Sequence, residues 1–196
     1  MLGIAGIGLI MALNMNSIGP GAGMVGVVSP NNTYCTYYIC SDLAKDDLKN
    51  HSLIAKDDMK KLIDHYRELY PDTALYGCEE AFIEASNMTG LDPIFLFSLA
   101  GIESGWGTSA PHVKQGNPYS MGMYGDGKHV GYQVGDSFYD GIITGAYYIY
   151  QHYYLNGQTS LYLMNHNGDH SYCAGDSSWE TQIRSEMRYC YKLLEK

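Results

Sequence analysis

Beyond residue 41, apolar side chains recur at helical spacing. Met59, Leu62, Ile63, Tyr66, Leu69 and Tyr70 fall three or four residues apart with Lys and Asp between them, the stripe of a helix that buries one face. Pro71 ends it, because proline lacks an N–H and restricts the residue before it. A second helix is predicted over 78–88, with Ala81, Phe82 and Ala85 on one face and Gly90 as its stop. Asp92 and Pro93 then pair an N-cap with a proline at the first helical position, opening the apolar run 94–102 with Glu103 at its end. Ser137 and Asp140 resemble a capping box for a tyrosine-laden helix to about Tyr154. A shorter helix is expected over 160–164. Ser177 and Glu180 repeat the capping pattern before Trp179, Ile183 and Met187, the stripe of a last helix. The interval 116–135 is dense in glycine and has no helical period, so it is the place for a small hairpin or loop. The expected fold is mainly α.

Composition changes the picture at the other end of the chain. No Asp, Glu, Lys or Arg precedes Asp42, and residues 1–28 are apolar and glycine-rich, interrupted only by Asn14, Asn16, Ser17 and Pro20. The uninterrupted part, 1–13, is shorter than the ~20 residues of a spanning helix, and it lacks the positive start of a secretory signal. So many glycines disfavour a lone helix. Contact with a membrane or with partner copies in an assembly is favoured over a signal peptide. Three segments are therefore expected: 1–41, uncharged and apolar; 42–74, a helical connector; and 75–196, the main helical domain.

With 12 Lys and Arg against 21 Asp and Glu, the formal charge of −9 argues against an electrostatic grip on nucleic acid or an anionic wall polymer. Cys35, Cys40, Cys78, Cys173 and Cys190 make no C-x-x-C pair and no zinc spacing with the histidines, so neither metal nor cofactor is expected. His166 and His170 beside Asp169 read as a polar loop. Cys35–Cys40 and Cys173–Cys190 are the nearest pairs for a disulfide; buried free thiols are the alternative.

Glu103 is the chemically suggestive residue. At the C-terminal end of an apolar helix the macrodipole disfavours a negative charge and raises a carboxyl pKa, and Trp106 could add an apolar wall. Glycoside hydrolysis needs such a carboxyl, still protonated when it meets the leaving sugar oxygen. A solvated glutamate at a frayed helix end is the alternative.

The segment Ala100-Gly-Ile-Glu-Ser-Gly-Trp-Gly-Thr-Ser109 resembles the A-x-x-E-S-x-W-G-x-S motif of bacterial and phage endo-β-N-acetylglucosaminidases of the lysozyme superfamily. Gly90-Leu-Asp-Pro93 looks like that family's entry into its catalytic helix. Gly116-Asn-Pro-Tyr-Ser-Met-Gly122 is similar to its N-N-x-F-G element, with Pro118 and a Ser-Met insertion as departures. Ser137 to Gly141 and Trp179 fit the openings of its next and last helices, so the likeness spans about 75–194. It implies a lysozyme-like catalytic domain with a small glycine-rich lobe, cleaving the β-1,4 bond between N-acetylglucosamine and N-acetylmuramic acid of the peptidoglycan glycan strand, with Glu103 as acid. For a second carboxylate acting on water, Asp126, Asp136 and Asp140 are the candidates, Asp126 favoured for its loop setting; participation by the substrate's acetamido group is the alternative. Tyr172, then Tyr162, best match the family's cleft-lining tyrosine. Trp106 and Asn117 fall on the motif and are expected to bind substrate, and Tyr119 and Tyr124 offer faces for sugar rings. Tyr147, Tyr148, Tyr150, Tyr153 and Tyr154 read rather as helix packing.

Lytic transglycosylase chemistry, or an inactive structural or membrane-penetrating component, are the competing functions. An uncharged start joined to a wall hydrolase suggests a device that passes wall and membrane, such as a phage tail tip or conjugation apparatus. The expected location is accordingly extracellular or virion-associated, on the bacterial cell wall.

Overall fold

The computed structural model describes residues 11–12, 22–28, 34–40, 47–49, 54–123, 131–174, 176 and 178–195. The chain divides into two compact units, Met1–Asp47 and Leu48–Lys196.

In the first unit the described backbone is a three-stranded antiparallel sheet of β1 (Met11–Ala12), β2 (Ala22–Val28) and β3 (Tyr34–Cys40). β2 and β3 pair from Ala22 opposite Cys40 to Val28 opposite Tyr34, and β1 adds Met11 opposite Gly26. These strands were not anticipated. Their β-branched and aromatic residues suit a pleated sheet, while glycines at 23 and 26 obscure the alternation that signals one. No helix among the described residues is long and apolar enough to cross a membrane.

Among its described residues the second unit is helix and loop. Its helices are α1 (Lys56–Leu69), α2 (Glu79–Thr89), α3 (Pro93–Glu103), α4 (Ala110–Lys114), α5 (Phe138–His152), α6 (Leu161–Asn165) and α7 (Trp179–Leu194). α3 is the axis of the unit: every residue from Pro93 to Gly101 is buried, on all sides of the helix. It packs against α2, α5 and α7, and α1, in the stretch expected as a connector, closes on α2 and α7 with Met59, Leu62, Ile63 and Tyr66 inward. Each fully buried Leu, Ile or Phe here stabilises by about 1.5–3 kcal/mol.

The caps explain the boundaries. Asp92 accepts a 2.7 Å bond from the Ile94 N–H, with Pro93 following, and its other oxygen takes the Tyr191 hydroxyl of α7. Ser137 accepts from the Asp140 N–H and donates to the Asp140 carboxylate at 2.6 Å. Ser160 caps α6 through the Leu163 N–H. The last helix differs from expectation. Its N-cap is Ser178, whose side chain caps nothing, and Asp176 Oδ1 instead accepts from the Ser178 N–H and hydroxyl. The short helix α4 was not anticipated, although Ser109 followed by Pro111 carries its signal.

Packing is close enough that single glycines are dictated. A Cβ on Gly141, inside α5, would lie 1.9 Å from the carbonyl oxygen of Gly116. That neighbour is backbone and cannot turn aside, so Gly141→Ala is expected to cost roughly 1–3 kcal/mol or more. Chemical denaturation should show a lower midpoint with little change in slope.

Candidate active site

α3 delivers Glu103 to a cleft of about 490 Å³, lined also by Ser120, Met121, Met123, Tyr132, Tyr148, Tyr153, Asp169, Tyr172 and Cys173. The carboxyl is partly open to this cleft and crowded by protein elsewhere. Trp179, 3% exposed at the start of α7, donates its indole N–H to Glu103 Oε1 at 2.8 Å. Burial pushes the Glu103 pKa above the usual carboxylate range; hydrogen bonds from Trp179 and Ser120 pull it back, and the Asp176 charge adds to the rise. The result is a carboxyl biased towards its protonated form, with donors ready to receive the anion.

That bias has a thermodynamic signature. Below the ordinary carboxyl range Glu103 is protonated in folded and unfolded chains alike. As pH rises through that range the unfolded chain ionises first, so stability falls until the pH passes the raised folded pKa. Glu103→Gln carries no such penalty. It should melt higher than wild type at neutral pH, the difference vanishing as pH falls to about 4; calorimetry across this range reads it.

Tyr172 lines the cleft next to Trp179. Its hydroxyl donates to the Tyr119 carbonyl at 2.6 Å, and its ring stacks on Trp179 at 5.2 Å and tilts against Tyr153 at 5.1 Å. Burial, then the charge of Glu103, hold its hydroxyl pKa well up. It therefore stands beside Glu103 as a neutral hydroxyl.

Most other residues expected in the site are placed elsewhere. The Trp106 ring stacks on Tyr66 at 3.7 Å and neighbours Phe97 and Tyr70. It also covers Gly101, where a Cβ would lie 2.4 Å from the ring. Trp106 is thus a wedge behind α3, not part of the cleft lining, and it is Trp179 that contacts the carboxyl. Asn117 is fully buried and folds its loop: it donates to the Met121 carbonyl and accepts from the Met121 N–H, both at 2.9 Å. Tyr119 does border the cleft, but it is 1% exposed with its ring against Gly145, so it offers no open aromatic face there. Tyr162 is 43% exposed and stacks on His166, outside the cleft lining. Asp140 is engaged with Ser137, and neither it nor Asp136 lines the cleft. Tyr124 and Asp126 lie outside the described residues.

Sequence reasoning missed Tyr132, Tyr148, Ser120 and Asp169 as cleft residues. Tyr132 and Tyr148, 57% and 37% exposed, are its accessible aromatic faces. Cys78, Cys173 and Cys190 are free. The Cys173–Cys190 disulfide considered from sequence proximity is absent: Cys173 lines the cleft, while Cys190 is buried beside Ser98 and Glu186. The Cys35–Cys40 pair lies outside the side chains described. Among the described residues no group of three His, Cys, Asp or Glu could hold a metal ion.

The mainly helical second unit, built around a buried central helix that ends in a glutamate, has a lysozyme-like all-α fold. Solved structures of S. aureus autolysin E are similar to this chain. In its complex with the muropeptide NAM-L-Ala-D-iGlu the TM-score is 0.62 at 22% identity, over 92% of this chain and 88% of that one. For a catalytic mutant bound to the disaccharide NAG-NAM the values are 0.61 and 23%, over 76% and 72%. A third structure of autolysin E gives 0.56 and 24%, over 85% and 83%. At these identities the likeness carries the fold. No protein-family model and no curated protein sequence matches the chain.

Proposed function

We propose that the second unit is a peptidoglycan hydrolase, an endo-β-N-acetylglucosaminidase that cleaves between N-acetylglucosamine and N-acetylmuramic acid with Glu103 as general acid. The observation that carries this reading is the half-buried, protonation-biased carboxyl of Glu103 facing a tyrosine-rich cleft. Autolysin E, bound to NAG-NAM and to a muropeptide, supports the substrate class. Glu103 gives its proton to the glycosidic oxygen, and the Trp179 N–H steadies the carboxylate that results. Tyr172 lines the same cleft and packs on Trp179. Open faces of Tyr132 and Tyr148 carry sugar rings. For the attacking water the proposed base is Asp126; the presence of Asp169 in the same cleft favours it as a second candidate.

Residues 1–41 are proposed to bring the enzyme to its substrate, through a membrane or an assembly such as a phage tail, at the cell wall. What supports this is the uncharged, apolar composition of that segment beside a wall-hydrolase domain.

Mass spectrometry of purified peptidoglycan after digestion tests the chemistry. New reducing N-acetylglucosamine ends are expected. Reducing muramic acid ends would make the enzyme a muramidase, and anhydro ends a lytic transglycosylase.

A further inference from the structure

Two hydrogen bonds beside Glu103 can run in one sense only. The first is the bond from the Trp179 indole N–H to Glu103 Oε1, at 2.8 Å. An indole nitrogen donates and does not accept, so this bond runs from Trp179 to Glu103 whether the carboxyl is protonated or ionised. In a protonated carboxyl the carbonyl oxygen is the better acceptor. Oε1 therefore keeps carbonyl character, and the proton is left on Oε2.

The second bond commits Tyr172. Its hydroxyl donates to the Tyr119 carbonyl at 2.6 Å. A carbonyl only accepts, and a phenol has one hydrogen, so that hydrogen is not offered to Glu103 or to a sugar. What Tyr172 supplies instead is its ring, stacked on the Trp179 indole at 5.2 Å with the planes 30° apart and braced by Tyr153 at 5.1 Å. Its backbone is pinned too, the Tyr172 N–H donating to the Met164 carbonyl at 2.7 Å. On the other side the indole is fixed by α7. Trp179 is the first residue of that helix and 3% exposed. Asp176, which accepts from the Ser178 N–H, has its own carbonyl tied to Asn165 Nδ2 at 3.1 Å. An indole so enclosed would be left with an unpaired buried donor if it lost Oε1, and that is costly.

We propose that Trp179 and Tyr172 are positioning residues for the acid: the indole N–H holds Oε1 and leaves the proton on Oε2, and Tyr172 acts through its ring on that indole, not as a proton donor. This rests on the reading of Glu103 as the acid. When the proton leaves Oε2 the indole faces a carboxylate, and its hydrogen bond strengthens because the acceptor is now charged. The titratable groups near the pair are Asp176 at the head of α7, Cys173 in the loop before it and Asp169 in the same cleft. None of these is altered in the test.

The chain holds two tryptophans, Trp106 and Trp179, so nitrogen–proton NMR of the full chain gives two indole signals and needs no activity. The Trp179 signal should move downfield as pH rises through the Glu103 midpoint, and this step should vanish in Glu103→Gln. Trp106, stacked on Tyr66 at 3.7 Å, should not share it. In Trp179→Phe the infrared band of the protonated carboxyl, taken against Glu103→Gln, should shift to higher frequency as Oε1 loses its donor. The Glu103 midpoint should rise by on the order of one pH unit. In peptidoglycan cleavage, Tyr172→Leu should lower kcat about tenfold at nearly constant KM, and Tyr172→Phe, which keeps the ring, should restore most of it. A Trp179 signal without the step, or a step that survives in Glu103→Gln, overturns the assignment of Trp179 however its variants fold. Equal losses of kcat in both Tyr172 variants, with the indole step intact, overturn the role given to Tyr172. A wild-type protein that shows the step yet fails to cleave would count against the acid role, with the indole contact still standing.

Discussion

Glu103→Gln is expected to lower peptidoglycan cleavage by at least about 10²-fold while leaving the protein as stable as wild type or more so. Glutamine keeps an oxygen to accept the Trp179 N–H and nearly the same volume, but it cannot give a proton to the leaving oxygen. The two readouts separate chemistry from folding, because at neutral pH the replacement also removes a buried group biased against ionisation. Turbidity clearing of purified peptidoglycan measures the first and thermal melting the second. Wild-type clearing by the variant would show that the acid lies elsewhere, and a collapse in melting temperature would mark Glu103 as a structural residue.

Trp106→Ala is expected to have the largest effect on stability, roughly 3 kcal/mol at the low end of the range for truncating a large aromatic, since the ring is only partly buried. The loss comes from its stack with Tyr66, its contact with Phe97, and the void left over Gly101. Trp106 itself sits at φ +57°, a conformation its packing must hold. Below its melting transition the variant should retain kcat/KM within a few-fold, because the ring does not line the cleft. A large rise in KM with unchanged stability would return Trp106 to the substrate side of α3. Urea denaturation and steady-state kinetics on the same preparation distinguish these outcomes.

Most of the helical unit was legible in the sequence because its signals are local. Asp92-Pro93, Ser137 with Asp140, and Ser160 each mark a helix start through a bond made within three residues. The stripe from Met59 to Tyr66 needs only helical periodicity. The first unit was less legible because β pairing is non-local and its glycines dilute the strand pattern. The site divides in the same way. Glu103 was visible from its helix and motif. The residues that tune it were not: Trp179 lies 76 positions away in sequence, and Ser120 17. Trp106, near Glu103 in the chain, points instead towards α1, because the turn after α3 carries its ring back over Gly101. Asn117 and Tyr119 were read as substrate contacts because they are polar or aromatic on a motif, but burial makes them loop scaffolding.

The most direct test of the central claim is a crystal structure of the Glu103→Gln protein with a peptidoglycan fragment that spans an N-acetylglucosamine–N-acetylmuramic acid bond. The bridging oxygen is expected within about 3 Å of the residue 103 amide, with sugar rings against Tyr132 and Tyr148. A fragment seated elsewhere on the molecule, or one with its bridging oxygen out of reach of residue 103, would contradict it.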